Sequence, residues 1–118
     1  MQTLAGLIDV AFGVFHLAFW RVFGWPERLL PSGRLNTAIT QTINAVLTYV
    51  FVVYGGALVV WSYGGTRAHW FVLAAGAGFW ALRFVLHFVW FDMRHKTSVL
   101  MTFLFFVAAL AHGLAAAR

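Results

Sequence analysis

From Thr37 to Tyr63 the chain runs without a single charged side chain. A helix needs about 20 mainly apolar residues to cross the hydrocarbon core of a bilayer. Only helices and closed barrels satisfy their backbone groups there. The run lacks the polar–apolar alternation of a barrel strand, so it reads as a membrane-crossing helix. Three further stretches qualify. Residues 3–23 carry Asp9 as their one charge away from the ends, residues 68–91 carry Arg83, and residues 97–117 carry none. The expectation is an all-α integral membrane protein. Four transmembrane helices, about 3–23, 37–63, 68–91 and 97–117, form an up-down-up-down bundle that makes one domain of residues 1–118.

Composition agrees. Charged residues are 9% of the chain, against about 25% in soluble domains. Six Trp and thirteen Phe bring the aromatic share to 19%, and Trp near helix ends suits the headgroup level. Met1–Trp20 lacks a basic leader and contains Asp9, so it reads as a retained first span, not a signal peptide. Pro26, Pro31 and Gly33 stop the first helix, and Asn36 is placed to cap the second. Gly64-Gly65 suits a tight turn, and Asp92-Met93-Arg94-His95-Lys96 a polar one. The side holding the first and third loops carries Arg21, Arg28, Arg34, Arg94 and Lys96, and the other side only Arg67 and Arg118. That excess places those loops in the cytoplasm and both termini on the non-cytoplasmic side, with the bacterial inner membrane as the expected location.

Several functions are disfavoured. The formal charge of +5 comes from basic residues scattered at segment ends, without the patch that nucleic-acid binding requires. Absence of Cys removes disulfides, thiolate metal sites and covalent haem attachment. Asp9, Glu27 and Asp92 are the only carboxylate side chains and form no pair. No Ser stands beside a His at useful spacing, and no metal-binding motif appears. A stand-alone enzyme is not the expected reading.

Residues three, four and seven apart share a helix face. One stripe holds Asp9, Gly13, His16 and Trp20. A second holds Thr37, Gln41, Asn44 and Thr48, a third Gly76, Trp80, Arg83 and His87, and a fourth Met101, Phe105, Ala108 and His112. Lipid-facing surfaces are apolar, so the stripes are expected to face inward. At 1.5 Å of rise per residue, His16, Trp20, Gln41, Asn44, Arg83 and His87 form a candidate ligand-binding cluster in the cytoplasmic half. Asp9 and His112 form an outer polar pair. The segments Val14–Trp20 and Val85–Phe91 echo one another and suggest a parallel repeat with His16 and His87 at equal depth.

Ionisable side chains within a membrane cost at least about 2.5 kcal/mol and point to function. Structural readings weigh against this: Gln and Asn also join helices, and Arg83 has a stem long enough to reach an interface. The leading reading is a small ligand-binding or accessory subunit, partnered by the lipid bilayer and by other membrane subunits or further copies of itself. A second reading makes His16 and His87 the axial ligands of a non-covalent haem b in electron transfer, with Gly13, Gly76 and Gly78 giving room for the macrocycle and His69 and His112 as a second pair. A third is an oligomeric proton-coupled transporter that uses Asp9 and His112.

Overall fold

The computed structural model describes all 118 residues. It is helical without strands: α1 (Gln2–Leu17), α2 (Phe19–Val22), a 3₁₀ turn (Leu30–Ser32), α3 (Arg34–Tyr63), α4 (Trp70–Trp90) and α5 (Lys96–Ala116). Three helices, α3, α4 and α5, are long and apolar enough to cross a membrane.

The first expected span differs. It is not one helix over 3–23 but α1, of 16 residues, followed by the one-turn α2. Alone, α1 rises about 24 Å, less than a hydrocarbon core of about 30 Å. The interruption is slight. Ala18 keeps right-handed helical dihedrals, φ −72° and ψ −11°, and its amide is shared between the Val14 and Phe15 carbonyls at 3.2 and 3.1 Å, a tightening common at helix ends.

Two compact units divide the chain. One is Gly6–Ala57, and the other joins Met1–Ala5 to Leu58–Arg118. In the first, α1 lies against α3 through glycines. A Cβ on Gly55 would stand 2.6 Å from the Gly6 carbonyl oxygen and 2.7 Å from Asp9 Cβ, and one on Gly13 would stand 2.8 Å from a Val52 methyl. Small residues let membrane helices approach until their backbones touch. Phe12 and Phe51, both buried, meet beside this seam with centroids 6.3 Å apart. The neighbouring Gly56 meets nothing within 4 Å, and α3 runs through the glycine pair without a break. Close packing, not a bend, is what Gly55 supplies.

Between α2 and α3, Gly24 at φ +62° lets the Trp25 amide reach back to the Trp20 carbonyl at 3.0 Å. Helix α3 starts earlier than expected, at Arg34. Asn36 therefore sits inside its first turn and donates to the Ser32 carbonyl at 2.9 Å. It does not cap the helix, because the preceding 3₁₀ turn and Gly33 already set the start.

In the second unit, α3 ends in a paired set of backbone bonds. The Thr66 amide donates to the Trp61 carbonyl at 2.7 Å and Gly65 to Ser62 at 3.2 Å, with Gly65 at φ +70°, the Schellman pattern that satisfies the last carbonyls. The Gln2 side chain clasps this corner. Its amide nitrogen donates to the Leu58 and Thr66 carbonyls at 3.1 and 3.3 Å, and its oxygen accepts from the Ala68 amide at 2.9 Å. His69 caps α4, Nδ1 accepting from the Phe71 amide. Arg67 donates to the Ala115 carbonyl near the end of α5 at 3.0 Å. Helices α4 and α5 pack through Leu73, Trp80, Phe105, Ala108 and Ala111, all buried. Outside, large apolar side chains such as Val85, Phe88, Val99 and Phe103 are exposed, as lipid-facing residues are.

Candidate functional site

Polar side chains gather in each unit. In the Gly6–Ala57 unit, the break after α1 places His16 against the middle of α3. The Asn44 oxygen accepts from His16 Nδ1 at 2.6 Å, and the Asn44 amide nitrogen donates to the His16 carbonyl at 2.8 Å. That carbonyl belongs to the last turn of α1, where helix termination removes amide partners. One turn on, Trp20 Nε1 donates to Gln41 Oε1 at 2.9 Å. Asn44 is buried, and Thr48 donates to its main-chain carbonyl at 2.9 Å. The expected members His16, Trp20, Gln41 and Asn44 thus meet as two hydrogen-bonded pairs. Asp9 is buried too, in the glycine seam, within electrostatic reach of the Tyr54 hydroxyl.

The two hydrogen bonds between Asn44 and His16 carry a test. Asn44→Leu would remove both hydrogen bonds, to the His16 ring and to its carbonyl, in an apolar setting. The expected loss is about 2 kcal/mol of stability, read by thermal unfolding in detergent. Asn36→Ala, at an exposed position, serves as the comparison and should change stability by under about 0.5 kcal/mol.

In the second unit, Arg83 and His87 lie one turn apart on α4 and share two aromatic partners. The His87 ring stacks on Phe91 at 4.1 Å and 12°, and meets Phe105 of α5 edge-on at 5.4 Å. The Arg83 guanidinium carbon stands 4.7 Å from the Phe105 centroid and 5.4 Å from that of Phe91, within cation–π range. Trp80 stacks on Phe105 from one side at 5.7 Å. Arg83 is half-buried and has no ion-pair partner. His87 is 3% exposed, and neither ring nitrogen has a hydrogen-bond partner. The Ser98 main chain lies beside the ring as a hydrogen-bonding group, but too poorly placed to give either nitrogen a bond of full geometry.

The two histidines have parallel settings and one difference. His16 stacks on Phe19 at 4.5 Å and leans on Phe51 at 5.3 Å, much as His87 does on Phe91 and Phe105. The neighbouring helix supplies His16 with an amide and His87 with none.

His112 is fully buried on α5, its Nδ1 2.8 Å from the Ala108 carbonyl. His69, weighed as its partner in a second haem pair, is the α4 cap. Gly13, weighed as room for a macrocycle, is filled by Val52 and Phe51. Phe91 and Phe105 were not among the expected cluster residues. The available signal was position: Phe91 follows His87 by four residues, and Phe105 lies on the inward stripe of α5.

Fold and site together define a class, an all-helical protein with three helices long and apolar enough to cross a membrane and polar side chains set among them. No protein-family model, curated protein or solved structure matches the chain.

Proposed function

We propose that this is a small polytopic protein of the bacterial inner membrane that binds a ligand among its helices, as a ligand-binding or accessory subunit of a membrane complex. In this reading α1 with α2 forms a fourth span, the helices alternate up and down, and both termini face away from the cytoplasm. His16, Trp20, Gln41, Asn44, Arg83 and His87 are the ligand-binding side chains. The observation that carries it is His87, buried with both ring nitrogens unpartnered. Leaving such groups unsatisfied costs about 1–3 kcal/mol each, and a bound molecule that hydrogen-bonds the ring removes that cost.

The test is purification from native membranes in a mild uncharged detergent, followed by native mass spectrometry. Wild type should retain a non-protein ligand or a fixed protein partner. His87→Phe, which keeps an aromatic ring and removes both nitrogens, should lose the ligand. A wild-type chain that emerges alone and ligand-free would overturn the reading.

A second reading, haem b held by His16 and His87, draws support from the His16–Asn44 bond. Metal-ligating histidines commonly donate their other N–H in this way, which fixes the tautomer. It predicts a Soret band in the purified protein that disappears in His16→Ala and in His87→Ala; a colourless folded protein ends it.

A further inference from the structure

The geometry points to an anionic amphiphile, one with a single oxyanion head on an apolar tail, as the ligand of the Arg83–His87 site. The inference rests on the ligand-binding reading above and names the chemistry of its ligand. Three observations converge on it.

The first is charge. Arg83 is half-buried on α4 without an ion-pair partner. Its guanidinium is held by the Phe105 and Phe91 rings, which offer attraction but no neutralisation. The nearest basic residue along the chain, Arg94, already faces Asp92 at 3.4 Å and is exposed. One free positive charge in an aromatic setting matches one negative charge.

The second is hydrogen bonding. His87 rests on the same two rings as Arg83 and is more than nine-tenths buried with both nitrogens unpartnered. A carboxylate or phosphodiester presents several acceptor oxygens. One engages the guanidinium and another takes the N–H of a neutral imidazole, both as charge-assisted bonds.

The third is the way in. Phe91 lies beyond the last turn of α4 in extended backbone, φ −116° and ψ 142°, and is 45% exposed. Its ring is the cover on His87, and beyond the amide bond to the His87 carbonyl its backbone has left the helix. Beside it the outer face of α4 presents Val85, Phe88 and Val89, each more than half exposed. A head that displaces the Phe91 ring can therefore leave its tail along an apolar face, which a small water-soluble anion would not use.

Native mass spectrometry of the detergent-purified protein, after delipidation, tests this with matched probes. Oleate and monoolein share an acyl chain and differ in charge, as do phosphatidylglycerol and diacylglycerol; acetate and dimethyl phosphate supply the heads without tails. Wild type should take up one oleate or one phosphatidylglycerol and reject its uncharged match and the soluble anions. Arg83→Gln should weaken that binding at least about tenfold, as loss of one charge-assisted bond implies. His87→Phe should weaken it by about fivefold. The oleate–monoolein comparison uses wild type alone, so it stands even if a variant folds poorly. Equal uptake of monoolein and oleate, or an unchanged affinity in folded Arg83→Gln, would overturn the charge assignment. Equal uptake of acetate would overturn the amphiphile. If a neutral ligand is retained instead, the amphiphile falls while the binding role stands; if no ligand or partner is retained, both fall.

Discussion

Gly55→Ala is expected to destabilise the protein by about 3 kcal/mol, near the upper end for overpacking a tight contact. The added methyl would stand 2.6 Å from the Gly6 oxygen and 2.9 Å from the Val10 nitrogen. Both are backbone atoms of α1 and cannot rotate aside, so relief requires α1 and α3 to separate along the seam. Dispersion between those surfaces falls steeply with distance, and in a membrane such packing is a main source of helix association. The adjacent residue is the control. Gly56 has open space around its Cβ position, so Gly56→Ala should be neutral or gain up to about 1 kcal/mol from helix propensity. Thermal unfolding of both variants in one detergent measures the contrast. Equal melting temperatures for the two would refute the close approach of α1 and α3.

Trp80→Ala is the second large effect, with an expected loss of about 3 kcal/mol. Trp80 is 2% exposed and packs on Phe105 and Phe79. Truncating a buried Trp in a soluble core costs about 3–5 kcal/mol, part transfer and part cavity. In a bilayer the transfer part shrinks, because lipid is also apolar, while the lost contacts remain. The lower end is therefore expected. Trp70, on the same helix but 59% exposed, provides the comparison, and Trp70→Ala should shift stability by under about 0.5 kcal/mol. Because Phe105 also contacts His87 and Arg83, Trp80→Ala should loosen that site as well. A Trp80→Ala variant as stable as Trp70→Ala would mean that α4 and α5 do not pack through this ring.

The helical class was legible because hydrocarbon leaves the backbone so few options. Uncharged runs over 37–63 and 97–117 are long and apolar enough to cross a membrane, and α3 and α5 fall on them with ends shifted by at most a few residues. Helix spacing also picked faces well. Trp80 and His87 on α4 and Phe105, Ala108 and His112 on α5 are buried, and each lies on a stripe chosen by period alone. The break at Ala18 was not legible, since nothing in Phe15-His16-Leu17-Ala18 disfavours helix. The misassigned cap at Asn36 has a similar origin: a cap residue was recognisable, but the 3₁₀ turn that sets the start of α3 was not.

The site divides along the same line. Sequence by itself determined that this chain is apolar enough to take lipid as solvent, and that its few polar side chains recur at helical spacing. Both follow from local chemistry, namely side-chain polarity and a repeat of 3.6 residues. Only tertiary structure decided which polar groups have partners. His16 and His87 sit in similar apolar, aromatic-rich heptapeptides that share only the Val and the His, yet one meets Asn44 across the α1–α3 seam and the other meets no side-chain partner but rings. A hydrogen bond needs two groups within about 3 Å, and which groups come that close is settled by how helices pack, not by the order of residues along any one of them.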